Sequence, residues 1–383
     1  MNKPTKAMPA PEISAAAHDL IYLISCALND TAPDKARCEA MDLDKVFAAA
    51  RLHNLASCAA SALERAVELP RPFDQAKKKA IRKLSLFEIE RAVIFRELEK
   101  AGIWYLPLKG IILGAYYPRS AMREMSDNDI LCDPDRMDDL KEIMERHGYK
   151  CDHFGKYNHD VYSKPPTLEF ELHHSLFADD YSPKVYSYFL NIKDRLIRKS
   201  DFEYSMTDED FYLFLLAHMH KHFINCGTGI RSLADLYVYL RRDGDSLDRA
   251  YIDPVLEKLG LADFERSARS LAFKTFEQQP LDENEKKELC YLIFSGSYGT
   301  NENLEYNNLS RRLNGDDSKS SKRDYYIRRI FIRGEDLERN YPFFARHRIL
   351  YPALFVYRLF KAAFIKPASI LAERRKVESF HLR

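Results

Sequence analysis

The sequence predicts an α+β fold: a small mixed-sheet unit set between two helical regions. Three observations predict it. Residues 103–175 alternate short apolar or alternating strand-like runs with helical ones. The stretches before and after that block carry apolar residues at the three-and-four spacing of helices. Apolar content of 46% beside 31% charged residues belongs to a packed globular chain, not a disordered one.

Residues 11–66 read as short helices, and the acidic start at Asp42-Leu43-Asp44 suits a helix N-terminus. Residues 73–100 form one long helix, with Leu84, Phe87, Ile94 and Leu98 on a stripe and Ala101-Gly102 as its stop. Residues 103–108 are a short apolar strand. Lys109-Gly110 opens a helix to about Tyr117, and a loop from Pro118 to Ser126 leads into a strand over Asp127–Cys132. Asp133 is placed as an N-cap, with Pro134 at the first helical position and the helix running to His147 before Gly148. Strands follow at 149–153, 159–163 and 167–174. Helices are then expected at 208–222, 231–242, 248–258, 262–277 and 283–294. Loops are expected at 295–300 and 314–321, and a helical, basic, aromatic-rich tail at 323–380. The expected organisation is a helical region over 1–100, an α/β core over 101–180, a helical domain over 181–300 and the basic-aromatic region over 301–383.

A chain of 383 residues suggests about two or three domains. A net charge of +1 gives no global electrostatic case for nucleic-acid binding. The seven cysteines are scattered, odd in number and free of any Cys-x-x-Cys pattern. This argues against a disulfide framework or a cysteine zinc site and fits a reducing cytoplasm. The N-terminus lacks the apolar run of a signal peptide. Ile349–Ile365 is the most membrane-like stretch. Arg358 and Lys361 interrupt it, so it reads as a buried or interfacial helix and no integral membrane segment is expected. The tail interleaves Tyr341, Phe343, Phe344 and Tyr351 with Arg346 and Arg348. A helical cap is favoured there over a nucleic-acid surface.

The chemistry centres on Asp127-Asn128-Asp129. On a strand the two carboxylates share a face, and like charges that close call for a divalent cation between them. Glu169 and Glu171 share one face of an alternating strand whose other face is Leu168, Phe170 and Leu172. Either would supply a third carboxylate, with Glu171 preferred because His173-His174 follow it. Lys109-Gly110 at a strand-to-helix junction offers phosphate a mobile cation and free backbone N–H groups. Arg123 or Arg119 would clamp phosphate oxygens, or Arg123 instead closes an internal salt bridge to Asp127 or Glu124. His218 and His222 lie one turn apart. They read first as core histidines bonded to an acid such as Asp235. Substrate contact, a role also open to His173, comes second, and zinc a distant third. The set points to metal-assisted transfer of a nucleotidyl group.

In order and spacing, these residues resemble the uncharacterised nucleotidyltransferases, the fifth NTP-transferase group of the DNA polymerase β-like superfamily. The resemblance runs over about residues 85–240. It is carried by the long helix, Leu108-Lys109-Gly110, Arg123, the strand Asp127–Leu131, Gly148-Tyr149, Glu171-Leu172-His173, His218 with His222, and Asp235-Leu236. It implies a two-metal core using Mg²⁺, or Mn²⁺, with Asp127, Asp129 and Glu171 as the acids and an NTP, ATP among them, as substrate. Lys109, Gly110 and Arg123 would contact the phosphates. The acceptor class (protein, RNA or small molecule) and the oligomeric state are left open by it. The chain departs from the wider superfamily where Gly-Ser is usual, since Ile111 follows Gly110. That departure motivates the competing expectation of a non-catalytic nucleotide-binding or interaction module in a toxin–antitoxin, defence or peptide-maturation system.

Overall fold

The computed structural model describes residues 13–179 and 181–312, and beyond them 322, 337, 342–347, 350 and 352–355. The loop at 314–321 lies outside the described residues. So do the membrane-like stretch Ile349–Ile365 and the basic-aromatic tail, apart from those few positions. The chain divides into two compact units, one of 1–223 with 227–299 and one of 224–226 with 300–383. In the second unit, α14 (Asn301–Arg312) is anchored by Asn307 Nδ2, which donates to the Asn225 carbonyl at 2.7 Å, and a short α15 spans Pro342–Arg346.

The first unit opens on α1 (Ala15–Leu28), α2 (Lys35–Ala40), α3 (Leu43–Leu52) and α4 (Ala56–Leu63). Ser14, Asp34 and Asp42 cap the first three, their side chains accepting from backbone N–H groups three residues on. The 31-residue α5 (Arg71–Ala101) carries proline in its first turn and stops at Gly102, whose φ of 67° is the left-handed conformation that ends helices. It buries Phe87, Ile94 and Leu98 of the expected stripe, with Leu84 partly buried.

Five strands follow: β1 (Tyr105–Pro107), β2 (Asn128–Cys132), β3 (Lys150–His153), β4 (His159–Lys164) and β5 (Leu168–His173). They form one mixed sheet in the order β1-β2-β5-β4-β3. Only β2 and β5 run parallel; the other pairs are antiparallel. The expected helix at Lys109-Gly110 is a single turn, α6 (Gly110–Leu113), continued by a 3₁₀ turn. Asp133 does cap, but what it caps is a 3₁₀ turn at Pro134–Arg136, and α7 begins only at Met137 and ends at Arg146. Two further elements were not expected. One is α8 (Pro183–Phe189), capped by Ser182. The other is the hairpin β6 (Ile197–Arg198) and β7 (Tyr204–Ser205), whose two-residue strands are too short to show a period. Helices α9 (Asp208–Ile224), α10 (Ile230–Asp243), α11 (Arg249–Leu259), α12 (Ala262–Phe276) and α13 (Glu283–Ser295) complete the unit at the places the sequence assigns them.

Two apolar cores sit against the sheet, and strand alternation sorts residues between its faces. Ile130, Cys132, Phe170, Leu172 and Tyr162 join Phe87, Ile94 and Leu98 of α5 and Leu140, Ile143 and Met144 of α7 in one core. Leu106 and Leu131 instead belong to the larger core. That core runs continuously through α1, α3 and α4 and on through α8 to α13, so the helices on either side of the sheet in sequence share one interior. Among the described residues, no helix is long and apolar enough to cross a membrane.

His53, at the end of α3, is 1% exposed, and burial pushes its imidazole down to about 4 from the usual 6.5. Its folded value lies below its unfolded one, so a falling pH protonates the unfolded chain first. Stability linked to His53 is intact above about pH 6.5 and is lost between there and about pH 4. In urea titrations across that window, His53→Gln is expected to remove that part of the slope. An unchanged slope would contradict the assignment.

Candidate active site

The register between β2 and β5 places Asp129 directly beside Glu171 and Leu131 beside His173. On the other side of β5, β4 sets His159 opposite His173 and Ser163 opposite Glu169. Because alternate residues share a face, one sheet face carries Asp129, Glu169, Glu171, His173 and His159, and the apolar core backs the other. Asp127 stands one residue before β2, on the same side. Its carboxylate and those of Glu169 and Glu171 converge, with oxygens all within 4.8 Å of one another.

Asp129 is the anchor. Lys109 Nζ donates to its Oδ1 at 2.6 Å, and His173 Nε2 lies 3.0 Å from the same oxygen. Burial alone would raise its pKa. Lys109 and His173 more than reverse this and hold the carboxylate well below its ordinary range, so it stays ionised. The Lys109 ammonium is likewise opposed by burial but held above its ordinary value by Asp129 and Glu171. Lys109 pays for this position with a strained backbone, φ 41° and ψ −110°, that a residue with a Cβ rarely adopts. The Leu108 N–H bonded to the Asp129 carbonyl at 3.0 Å ties the strained turn to β2.

Asp127 behaves in the opposite way. Burial, with Asp129 and Glu171 adding repulsion, lifts its carboxyl to about 7 despite Lys109 and Arg231. Glu169 is pushed upward by burial and by Glu171. Two cations border these acids. Lys83 of α5 donates to the Ser126 carbonyl at 2.9 Å, and Arg231 of α10 donates to the Glu124 carbonyl at 3.3 Å. Both therefore hold the loop that delivers Asp127.

Four sequence expectations change here. Arg123, expected at the phosphates, is paired internally: its Nε and Nη2 form a two-pronged pair with Asp235 of α10 at 2.8 and 2.9 Å, both residues buried. The internal salt bridge it was also offered, to Asp127 or Glu124, goes to Asp235 instead. Gly110 is a packing position, where a Cβ would lie 2.5 Å from Arg123 Nη1 and 2.8 Å from Met125 Sδ. With a helix of one turn behind it, little dipole is available to an anion. His218 and His222 bond each other, Nε2 to Nε2 at 3.1 Å, since Arg123 and the Tyr117 hydroxyl already occupy Asp235. Burial and the Lys109 charge keep both neutral, His222 down to about 4. Glu169, ranked behind Glu171 in the sequence, joins the carboxylate cluster. His159 was not singled out at all. Its only signal was an alternating strand, and pairing with β5 is what brings it to the site.

A buried lysine–aspartate pair and a carboxylate cluster on one sheet face make that face the candidate active site. The chain belongs to a family of uncharacterised nucleotidyltransferases, whose profile it matches over residues 39–277. It matches no curated protein and no solved structure.

Proposed function

We propose that the chain transfers a nucleoside monophosphate from an NTP to an acceptor hydroxyl, using Asp127, Asp129 and Glu171 to hold divalent metal. The observation that carries this reading is the acidic sheet face. Asp129 is in register with Glu171, and the oxygens of Asp127, Glu169 and Glu171 lie within 4.8 Å. The residues fit a hard cation: carboxylate oxygens are what Mg²⁺ or Mn²⁺ prefers, and a carboxyl raised to about 7 by burial and by the charges of Asp129 and Glu171 is one that a cation would relieve. Bound there, the metal would neutralise charge on the phosphates and orient the displacement. In the transfer, the acceptor oxygen bonds the α-phosphorus, the bond to pyrophosphate breaks and the hydroxyl proton must leave. Glu169, its carboxyl already raised, is suited to accept that proton. Lys109 keeps Asp129 ionised and in place. Lys83 and Arg231 replace Arg123 as the cations beside the phosphates.

The test is incubation with α-labelled NTPs, Mg²⁺ and a panel of protein, RNA and small-molecule acceptors. Label transfer or pyrophosphate release is expected, reduced by roughly 100-fold or more in Asp127→Asn and Asp129→Asn. Full activity in the doubly substituted protein would remove the assignment. The filled turn at Gly110 removes one expected phosphate contact and so weighs against transfer; the competing reading is nucleotide binding at the acidic face without turnover. Calorimetry showing NTP binding indifferent to Mg²⁺, with no turnover on any acceptor, would select it.

A further inference from the structure

We infer that the acidic face also holds a second, nitrogen-containing metal position, built by His159, Glu171 and His173 and suited to a first-row transition ion rather than to Mg²⁺. The inference rests on the carboxylate-face reading above and adds to it the identity of the ion. His159 and His173 are direct cross-strand partners on β4 and β5, their rings 4.9 Å apart. Glu171 is two residues before His173 and so shares its face. Its Oε2 lies 3.7 Å from His159 Nε2 and 3.6 Å from His173 Nε2. Donors around one ion with bonds of about 2.0–2.2 Å stand roughly 3–3.5 Å apart, so small side-chain rotations close this set. Asp129 Oδ1, 3.0 Å from His173 Nε2, is within reach as a fourth donor.

The donor chemistry decides the ion. Two imidazoles with one or two carboxylates suit Zn²⁺, Fe²⁺, Co²⁺ or Mn²⁺, whereas Mg²⁺ takes oxygen and binds imidazole poorly. Glu171 belongs both to this set and to the oxygen ligands proposed with Asp127, beside which Glu169 stands as the proton acceptor. It is therefore placed to bridge two unlike positions, one hard and one softer. On loading, His173 Nε2 turns its lone pair to the ion and gives up its contact with Asp129. Any proton that nitrogen carries is released to solvent.

Cobalt alone tests this on the full chain, because Co²⁺ bound by imidazole and carboxylate in a low-coordinate site absorbs in the visible. The wild type is expected to show saturable bands at one equivalent, suppressed by Zn²⁺ and untouched by millimolar Mg²⁺. His159→Asn, at a partly exposed position, should weaken Co²⁺ binding by roughly tenfold or more, and Glu171→Gln should do the same as an independent check. Asp127→Asn, which touches only the oxygen set, should retain the bands. No saturable signal in the wild type, or equal affinity in His159→Asn, would overturn the inference. Bands lost in His222→Gln but kept in His159→Asn would also overturn it, by moving the ion to the α9 histidine pair. Mg²⁺-dependent label transfer alongside any of these negative results would leave the transferase reading standing, so the two ideas fail separately.

Discussion

Asp127→Asn is expected to make the metal-free protein more stable while removing the proposed transfer activity. The gain arises because Asp127 is ionised at a cost. Burial and the charges of Asp129 and Glu171 raise its carboxyl to about 7, and Lys109 and Arg231 only partly offset them. The folded value lies above the unfolded one, so stability tied to this group is fully present below about pH 4. It falls as the pH rises towards 7 and stays lost above that. The Asn variant has nothing to ionise and escapes the loss. Raising a carboxyl pKa tenfold in acidity constant disfavours its ionised form by about 1.4 kcal/mol. Asp127 is only half-buried and its neighbours respond to the change, so a gain of roughly 1–3 kcal/mol at pH 8 is expected. Urea unfolding in the presence of a chelator measures it. At pH 8 the variant should unfold at higher denaturant than the wild type, and near pH 4 the two should converge. Added Mg²⁺ should reverse the order at pH 8, because an ion that binds only the native wild type stabilises it by mass action. Equal midpoints at pH 8 without metal would mean that Asp127 is not crowded by its neighbours.

Local pattern carried much of this site into view. The alternation Leu168-Glu169-Phe170-Glu171-Leu172 specifies a half-buried strand with its acids on one face, and the structure keeps that division. The stripe on α5 and the glycine after it are equally local signals. The illegible part depends on pairing across distance. Nothing around His159 marks it until β4 lies beside β5 and sets it against His173. The ranking of Glu171 over Glu169 used the sequence neighbours of each. Their shared proximity to Asp127 depends instead on the β2–β5 register, which no local pattern contains. For α9 the one-turn spacing of His218 and His222 signalled their meeting. Their partner was misread because Asp235 belongs to a residue 112 positions away from it in the chain.

That residue supplies the largest stability effect expected. Arg123→Met should cost about 3–5 kcal/mol, because it leaves the Asp235 carboxylate buried beside α10 without its two N–H donors. Asp235→Asn should cost a similar amount by stranding the guanidinium. Arg123→Lys keeps the charge but loses the two-pronged geometry, so it should fall between them and the wild type. The double variant Arg123→Met/Asp235→Leu should recover much of the loss, since removing both charges of a buried pair is far less damaging than removing one. Recovery should be fuller with Tyr117→Phe added, because the Tyr117 hydroxyl otherwise loses its acceptor at 2.8 Å. Gly110→Ala should disturb the same knot from the other side, pressing a methyl group into Arg123 Nη1. A double-mutant cycle in urea reads the coupling directly. Additive single effects would show that the pair contributes little as a pair. The same variants separate architecture from chemistry. A folded Arg123→Lys protein should bind NTP about as tightly as the wild type, because the wild-type guanidinium it replaces is buried against Asp235. Arg231→Ala should weaken binding, because that cation sits beside Asp127. If the order were reversed, with Arg123→Lys losing nucleotide and Arg231→Ala keeping it, the ion pair would have to open on binding, and Arg123 would be the phosphate clamp after all.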